Sequence, residues 1–193
     1  SGAVSWLHDL SELTHLVEQG GSRRGAQMIM MANWHPDIVE FIISKMQNPK
    51  ILQFLIETIK EPLIVAAAKA KLKFVPLTES EIQINEYILE QSKLTNDVFN
   101  KKIVDSAFEK INKGGHYEIN SPEFLTGANI SVAITSEFMD AVEQDTDYEL
   151  RFPDVDSYSP EEKAIYNEKW MECGDVREWE NMGYRVKTYT TIK

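Results

Sequence analysis

The spacing of apolar residues along the chain separates segments with the period of a helix from segments with the period of a strand. Apolar residues recur at steps of three and four over residues 4–18, which predicts an amphipathic helix. An unbroken apolar run follows at residues 27–32 and is typical of a strand buried on both faces. His35-Pro36-Asp37 then favours the start of a second helix, because proline suits the first turn and aspartate its positive end.

Helical spacing dominates the next part of the chain, residues 47–121. Asn48-Pro49 and Pro62 begin two helices that we expect to end near residues 60 and 74. Thr78 and Glu81 form a capping box ahead of a third helix, and Gly114 closes a fourth, predicted over residues 97–113. We therefore expect a helical insertion.

Strand character returns at residues 129–134 and is followed by a helical segment at 137–144 and an alternating segment at 148–152. A capped helix begins near Ser159, and alternation resumes at Tyr184. Two βα units separated by an insertion imply an α/β fold with a parallel sheet or barrel. We expect four segments, namely a βα segment at residues 1–46, the helical insertion 47–121, a second βα segment at residues 122–153, and an acidic α+β extension at 154–193.

Charge is distributed unevenly. The chain has a net charge of −11, and residues 137–180 hold fifteen acidic and four basic residues, whereas the remainder is balanced. This lack of a basic surface argues against a nucleic-acid partner. The most apolar stretch, residues 51–74, is interrupted by charges, which argues against a membrane span.

The single cysteine, Cys173, fits a reducing compartment, and no leader segment is recognisable. We expect a soluble cytoplasmic protein without a membrane partner. The chain begins at Ser1-Gly2 and ends inside a predicted strand at Lys193, so we expect it to be part of a longer polypeptide.

Metal and nucleophilic chemistry are not indicated by the sequence. His8 and His15 share a helix face, but no further ligand stands at metal-site spacing. Cys173 has carboxylates around it in sequence, not the cations that activate a thiol. The tryptophans are spread over different elements, which favours a packing role. We therefore predict neither a metal ligand nor a catalytic residue.

The most distinctive segment lies between the first helix and the first strand, and we call residues 18–26 the glycine–arginine loop. Glycine backbones can form an anion-binding nest, arginine can pair with phosphate or stack on a base, and glutamine can hydrogen-bond a base edge. A tight turn with exposed arginines is the alternative interpretation. The candidate binding residues are Glu18, Gln19, Gly20, Gly21, Ser22, Arg23, Arg24, Gly25 and Ala26.

In combination, five segments resemble the large-chain ribonucleotide reductases, most closely the adenosylcobalamin-dependent class. The resemblance covers about residues 1–46 and 125–153. The segments are Ser1-Gly2-Ala3-Val4-Ser5-Trp6, the glycine–arginine loop, Trp34-His35-Pro36-Asp37-Ile38-Val39-Glu40-Phe41-Ile42, Asn129-Ile130-Ser131-Val132 and Glu137-Phe138-Met139.

The resemblance implies part of a ten-stranded α/β barrel built around a finger loop with a radical-forming cysteine. It also implies that the glycine–arginine loop is a mobile specificity loop between a deoxynucleotide effector and the base of the ribonucleotide substrate. By position, Gln19 and Arg24 would contact the substrate, and Glu18 and Gly20 would face the effector. Many relatives carry a proline that is missing between Arg24 and Gly25.

The family's Asn-x-Cys-x-Glu motif and its further cysteines are missing from this sequence. The resemblance therefore implies that this chain alone is inactive. It also implies a parent enzyme that uses thiyl-radical chemistry, adenosylcobalamin and a thioredoxin-like reductant, and that forms a homodimer. Two alternatives stay open, namely the oxygen-dependent large chain and a non-catalytic nucleotide-binding or protein-interaction module.

Overall fold

The computed structural model describes residues 2–16, 18–19, 23–24, 27–94, 99–121 and 128–193. The chain divides into two compact units. The first comprises Ser1–Met46, Ile59–Ala67 and Glu123–Lys193, and the second comprises Gln47–Thr58 and Ala68–Pro122. None of the helices in the described ranges combines the length and the apolar character needed to cross a membrane.

The first unit contains the two βα units that the sequence predicts. Its helices are α1 (Ala3–Leu16), α2 (Ile38–Ser44), α7 (Ser136–Gln144), α8 (Pro160–Cys173) and α9 (Val176–Asn181), with a 3-10 turn at Val155–Ser157. Its strands are β1 (Glu18–Gln19), β2 (Arg23–Arg24), β3 (Gln27–Ala32), β6 (Ala128–Ala133), β7 (Tyr148–Pro153) and β8 (Val186–Ile192).

The second unit contains α3 (Pro49–Thr58), β4 (Leu72–Pro76), α5 (Glu79–Leu94), α6 (Lys101–Lys113) and β5 (Gly115–Ile119). Helix α4 (Pro62–Lys71) is divided between the units after Ala67.

Strands β3 and β6 pair in parallel, which confirms the predicted direction of pairing. The register joins Gln27 to Ala128 and Ala32 to Ala133. One further backbone bond, from Asn33 N to Ala133 O at 3.0 Å, continues the pairing beyond the carboxyl end of β3. Each strand leads into a helix, α2 or α7, so the two βα units lie side by side as parallel geometry requires.

One face of this strand pair is exposed, so the prediction that β3 is buried on both faces is wrong for the described residues. The side chains of Met28 and Met30 are 64% and 60% exposed, whereas Met31 is buried. Side chains alternate between the two faces of a strand, and the face that carries Ile29 and Met31 contacts the core. A ten-stranded barrel is not seen among the described residues, where the parallel pairing joins β3 and β6.

The core of the first unit lies between this strand pair and its helices. Helix α1 contributes Val4 and Leu7, α2 contributes Phe41, and β7 contributes Leu150. Phe41 and Leu150 are fully buried, and burial of such side chains is the main favourable contribution to folding. The core therefore joins both βα units to the strand that follows them.

Asp37 joins α1 to the turn before α2. Its Oδ2 accepts a hydrogen bond from Ala3 N at 2.7 Å, which satisfies one of the unpaired amides in the first turn of α1. The sequence placed Asp37 at the start of α2, yet its side chain makes no capping bond there. A Cβ on Gly2 would lie 2.5 Å from Asp37 Oδ2, so any larger residue would force the carboxylate of Asp37 to move.

An aromatic cluster packs the acidic extension against the βα units. Trp170 contacts Trp34 and Phe152 edge to face at centroid distances of 6.3 and 5.4 Å. Trp179 is fully buried, stacks on Tyr184 at 4.4 Å, and contacts Trp170. These contacts confirm the packing role predicted for Trp34, Trp170 and Trp179.

The extension is also held by backbone pairing and by a capped helix. Strand β8 pairs antiparallel with β7, with Tyr148 opposite Ile192. Ser159 and Glu162 form the predicted capping box at the start of α8. Gly174 ends the helix in the left-handed conformation at φ 59°, as a C-terminal glycine commonly does.

The second unit corrects the expectation of a purely helical insertion. Strands β4 and β5 form an antiparallel pair that joins Leu72 to Ile119 and Pro76 to Gly115. Helix α4 ends at Lys71, whereas the sequence predicted helix to residue 74. The residues that follow are Leu72, Phe74 and Val75, whose bulky side chains favour a strand once a partner is available.

Local signals in this unit behave as the sequence predicts. Thr78 and Glu81 form a capping box through their backbone amides and side chains. Gly114 ends α6 at φ 68°. At Gly115 a Cβ would lie 2.5 Å from the carbonyl oxygen of Val75, so the close pairing of β4 and β5 requires glycine there.

Replacing Trp179 by alanine should lower the free energy of unfolding by about 3–5 kcal/mol, because it removes a fully buried indole and the 2.9 Å bond from its Nε1 to the hydroxyl of Tyr158. Urea unfolding followed by circular dichroism measures the change. The matched control is Trp6→Ala, since Trp6 is 72% exposed and should cost about 0.5 kcal/mol or less. Equal effects of the two substitutions would contradict the packing role.

Candidate functional site

The glycine–arginine loop contains a short antiparallel strand pair. Backbone pairing places Glu18 opposite Arg24 and Gln19 opposite Arg23. Of the candidate residues, these four have a described backbone. Gly20, Gly21, Ser22, Gly25 and Ala26 lie outside the described residues. The backbone of the loop therefore doubles back on itself between α1 and β3.

The two chain segments that flank the loop are joined to each other. The hydroxyl of Thr14, in the last turn of α1, lies 2.9 Å from Gln27 Oε1 at the start of β3 and 3.0 Å from Leu10 O. Because Gln27 pairs with Ala128, the loop ends at the amino ends of the parallel strands. This bond holds the base of the loop in place.

The ammonium group of a lysine lies at the same amino ends of the strand pair. Lys45 follows α2, and its Nζ donates a hydrogen bond to Ala128 O at the start of β6. Lys45, Thr14 and Gln27 were not predicted as part of the site. No local pattern marks them, because each is brought to the loop only by the pairing of β3 with β6 and by the return of α2.

A second polar group occupies the opposite, carboxyl ends of the parallel strands. Asn33 is 4% exposed and lies directly after β3. Its Nδ2 is 3.3 Å from Thr135 Oγ1 and 3.2 Å from the hydroxyl of Tyr148. Its Oδ1 is buried and has no partner among the described residues. Burial raises the pKa of Tyr148, and the charge of Glu137 acts in the same direction.

Arg151 connects this carboxyl edge to the acidic extension. Its Nη2 lies 2.8 and 2.9 Å from the two carboxylate oxygens of Glu137, at the start of α7. Its Nη1 lies 3.2 Å from Glu180 in α9. Its backbone amide donates to Trp34 O at 2.8 Å. This network satisfies two carboxylates with one guanidinium, which fits a positioning role at the edge of the strand pair.

His35 is held as a hydrogen-bond acceptor at the end of β3. The backbone amide of Asp37 donates to its Nδ1 at 3.0 Å, and its ring packs edge to face on Phe152 at 5.1 Å. Burial lowers the pKa of His35, while the carboxylate of Asp37 offsets part of this effect. Both the hydrogen bond and the burial favour the neutral ring, so His35 is a structural group in this turn.

The remaining titratable candidates do not converge on a reaction centre. Cys173 is a half-buried free thiol whose Sγ lies 3.4 Å from Asp175 O. His8 lies 3.9 Å from Glu12 on an exposed part of α1, and nothing is described of the side chain of His15. Among the described residues, no group of three or more His, Cys, Asp and Glu side chains is arranged to hold a metal ion.

The arrangement at the amino edge suits binding, not bond cleavage. It combines an anchored backbone hairpin with the ammonium group of Lys45. The carboxyl edge instead holds a buried amide, a tyrosine hydroxyl and an ion-pair network. The candidate loop and the Asn33 group therefore lie at opposite ends of β3, and the fold does not bring them together.

Comparisons with known proteins agree with this fold. The family model described as ribonucleotide reductase, barrel domain, matches residues 1–190. A 45-residue segment, 23% of this chain, is 49% identical to the vitamin B12-dependent ribonucleoside-diphosphate reductase of Thermoplasma acidophilum. That segment spans 6% of the length of the Thermoplasma protein, so this chain is aligned with a small part of it.

Because burial lowers the pKa of His35, the stability of the fold should depend on pH. Its folded pKa lies below the ordinary value of 6.5, so the unfolded chain binds the proton more tightly. The free energy of unfolding should therefore fall as the pH is lowered from about 6.5 towards the folded pKa. Denaturant unfolding between pH 5 and pH 8 measures it.

The variant His35→Gln should flatten this part of the pH profile, because it removes the titrating ring. The exposed His8 supplies the matched control, and His8→Gln should leave the slope in place. A profile that keeps its full slope in His35→Gln would show that another group causes the dependence.

Proposed function

This chain belongs to the ribonucleotide reductase family through its barrel domain, and we propose that the whole protein converts ribonucleotides to deoxyribonucleotides. The match of the family model over residues 1–190 carries this proposal. A parallel strand pair in which each strand leads into a helix also fits part of an α/β barrel.

The exposed face of β3 supports the proposal that the barrel has ten strands, most of them supplied by the rest of the protein. Met28 and Met30 side by side on an exposed strand face form an apolar surface that normally contacts further structure. Further strands beside β3 and β6 would also pair the open edges of the two-stranded sheet.

The proposed reaction places the chemistry outside this chain. In the whole enzyme, a cysteine thiyl radical would remove the 3′ hydrogen of the ribose and return it at the end. A dithiol would supply two electrons and two protons, the 2′ hydroxyl would leave as water, and a disulfide would form. A thioredoxin-like protein would reduce that disulfide. We assign no catalytic role to a residue of this chain.

We propose adenosylcobalamin as the radical source, on the strength of the vitamin B12-dependent relative. The described residues of this chain do not fit the cofactor. His35, beside the parallel pair, packs on Phe152 and uses its Nδ1 to accept from Asp37, so it is not presented as a ligand. Cobalamin binding is therefore assigned to the rest of the protein.

The glycine–arginine loop is proposed as the specificity loop between substrate and deoxynucleotide effector. Two observations support this role. The loop is anchored at its base by Thr14 and Gln27, and a cation, Lys45, lies at the same strand edge. Gln19 and Arg24 are assigned to the substrate side, and Glu18 and Gly20 to the effector side, from the family resemblance.

The experiment that tests the function is reduction of ribonucleotides by the whole protein under anaerobic conditions. Each substrate is assayed with and without adenosylcobalamin and with each deoxynucleotide effector. Effector-dependent activity that requires the cofactor supports the proposal. Activity that requires oxygen and a metal-bearing partner chain would point to the oxygen-dependent class. Nucleotide binding without reduction would point to a non-catalytic binding module.

Arg24→Ala in the whole protein should change the preference among the four ribonucleotides by up to about 3 kcal/mol in kcat/KM, because a charge-assisted contact is lost. Competition assays with each effector measure this. Lys163→Ala, at an exposed position of α8, is the control and should leave the preference unchanged. Unaltered selectivity of Arg24→Ala with all four effectors would remove the loop from the proposed role.

We also propose that the whole protein forms a homodimer through α1. This helix buries Val4 and Leu7 but leaves the side chains of Trp6, Leu10 and Leu13 exposed at helical spacing. Such a stripe is the pattern of a helix that packs on both sides. A second copy of the same helix would cover it by two-fold symmetry.

Leu13→Glu should shift the whole protein from dimer to monomer in analytical ultracentrifugation, since it places a charge within the stripe. Leu94→Glu makes the same change at a comparably exposed leucine of α5 and should leave the dimer intact. A dimer that persists in Leu13→Glu would exclude this face as the interface.

A further inference from the structure

The second unit contains a cavity of about 400 Å³, within the size range of small-molecule sites. It lies between the start of α3, the last turns of α6 and the beginning of β5. Its wall includes Lys50, Lys110, Lys113, His116 and Tyr117. Every residue of its lining belongs to this unit.

Positive charge is concentrated at this cavity even though the unit as a whole is balanced. The second unit holds nine lysines and nine acidic residues in sequence. The cavity wall holds three of those lysines and one of the acidic residues, Glu109. Three ammonium groups around one concave surface repel one another unless an anion lies between them.

Only one of the three lysines is neutralised by a close partner. Lys113 Nζ lies 2.8 Å from Glu109 Oε1. In the described part of the chain, Lys50 and Lys110 form no direct ion pair, although the charge of Lys50 helps to lower the pKa of Glu109 and that of Lys110 helps to lower the pKa of Glu81. Helix α3 begins at Pro49 beside them, and the positive end of its dipole adds to the same potential. Two ammonium groups at the cavity therefore lie outside a direct ion pair and can each form one with an anionic ligand.

The neighbouring ring side chains complete the wall. Nε2 of His116 lies 3.0 Å from Glu118 Oε1, while its Nδ1 is buried without a hydrogen-bond partner among the described residues. Tyr117 is held edge to face against Phe74 at 5.3 Å and is partly exposed. A fixed aromatic ring next to ammonium groups offers one face for stacking and a charged edge for phosphate.

We propose that this cavity binds a phosphorylated small molecule, with its phosphate groups between Lys50 and Lys110 and any planar base against Tyr117. The inference concerns the second unit alone and does not depend on the reductase function proposed for the family. Lysine binds phosphate as a compact point charge, which suits a polyphosphate better than a planar carboxylate.

The test is calorimetric titration of the full chain at low salt with three probes, namely inorganic tripolyphosphate, ATP and adenosine. The double variant Lys50→Gln with Lys110→Gln should bind tripolyphosphate and ATP at least about tenfold more weakly, because charge-assisted contacts are lost. The matched control, Lys101→Gln with Lys102→Gln, removes two exposed charges from the start of α6. Its affinity should change less than about twofold. Circular dichroism verifies that both variants fold.

The probes also distinguish a nucleotide ligand from a phosphate compound that has no base. Equal affinities for tripolyphosphate and ATP would support a site that recognises phosphate alone. Tighter binding of ATP that falls to the tripolyphosphate value in Tyr117→Leu would support a nucleotide site. The proposal is overturned if neither anion binds saturably, if both double variants weaken binding equally, or if adenosine binds as tightly as ATP.

Discussion

The parallel pairing of β3 with β6 positions the rest of the first unit. Its register joins Gln27 to Ala128 and Ala32 to Ala133, although α2 and the whole second unit separate the two strands in sequence. The entropy of closing a loop rises only slowly with loop length, so a long insertion within this crossover is tolerated. The pairing places one group of polar residues at the amino ends of the two strands and another group at their carboxyl ends.

These two edges have different chemistry. The amino edge holds the base of the glycine–arginine loop, where Thr14 contacts Gln27 and Lys45 reaches Ala128. The carboxyl ends hold the buried amide of Asn33, which contacts Tyr148, and separately the ion pairs of Arg151 with exposed carboxylates. Buried, hydrogen-bonded polar groups such as Asn33 rigidify the elements that they join. The fold thus combines an anchored loop with a rigid opposite edge.

The second unit has its own small framework. Strands β4 and β5 bring the two ends of segment 72–119 together, and Gly115 allows their close approach. The same pairing brings His116 and Tyr117 next to the lysines of α3 and α6. A cationic wall therefore arises in a unit of balanced charge, because the tertiary structure places lysines from distant sequence positions on one surface.

The sequence by itself determined the features that depend on neighbouring residues. Strands 27–32 and 129–134, the capping boxes at Thr78 and Ser159, and the glycine that ends α6 each follow from residues a few positions apart. The family is recognised from five such short segments in combination. Tertiary structure alone decided that Asp37 caps α1 and that Met28 lies on an exposed face. The β4–β5 pair and the Arg151 network also depend on it. These features join residues far apart in sequence, and periodicity and capping carry no information about such partners.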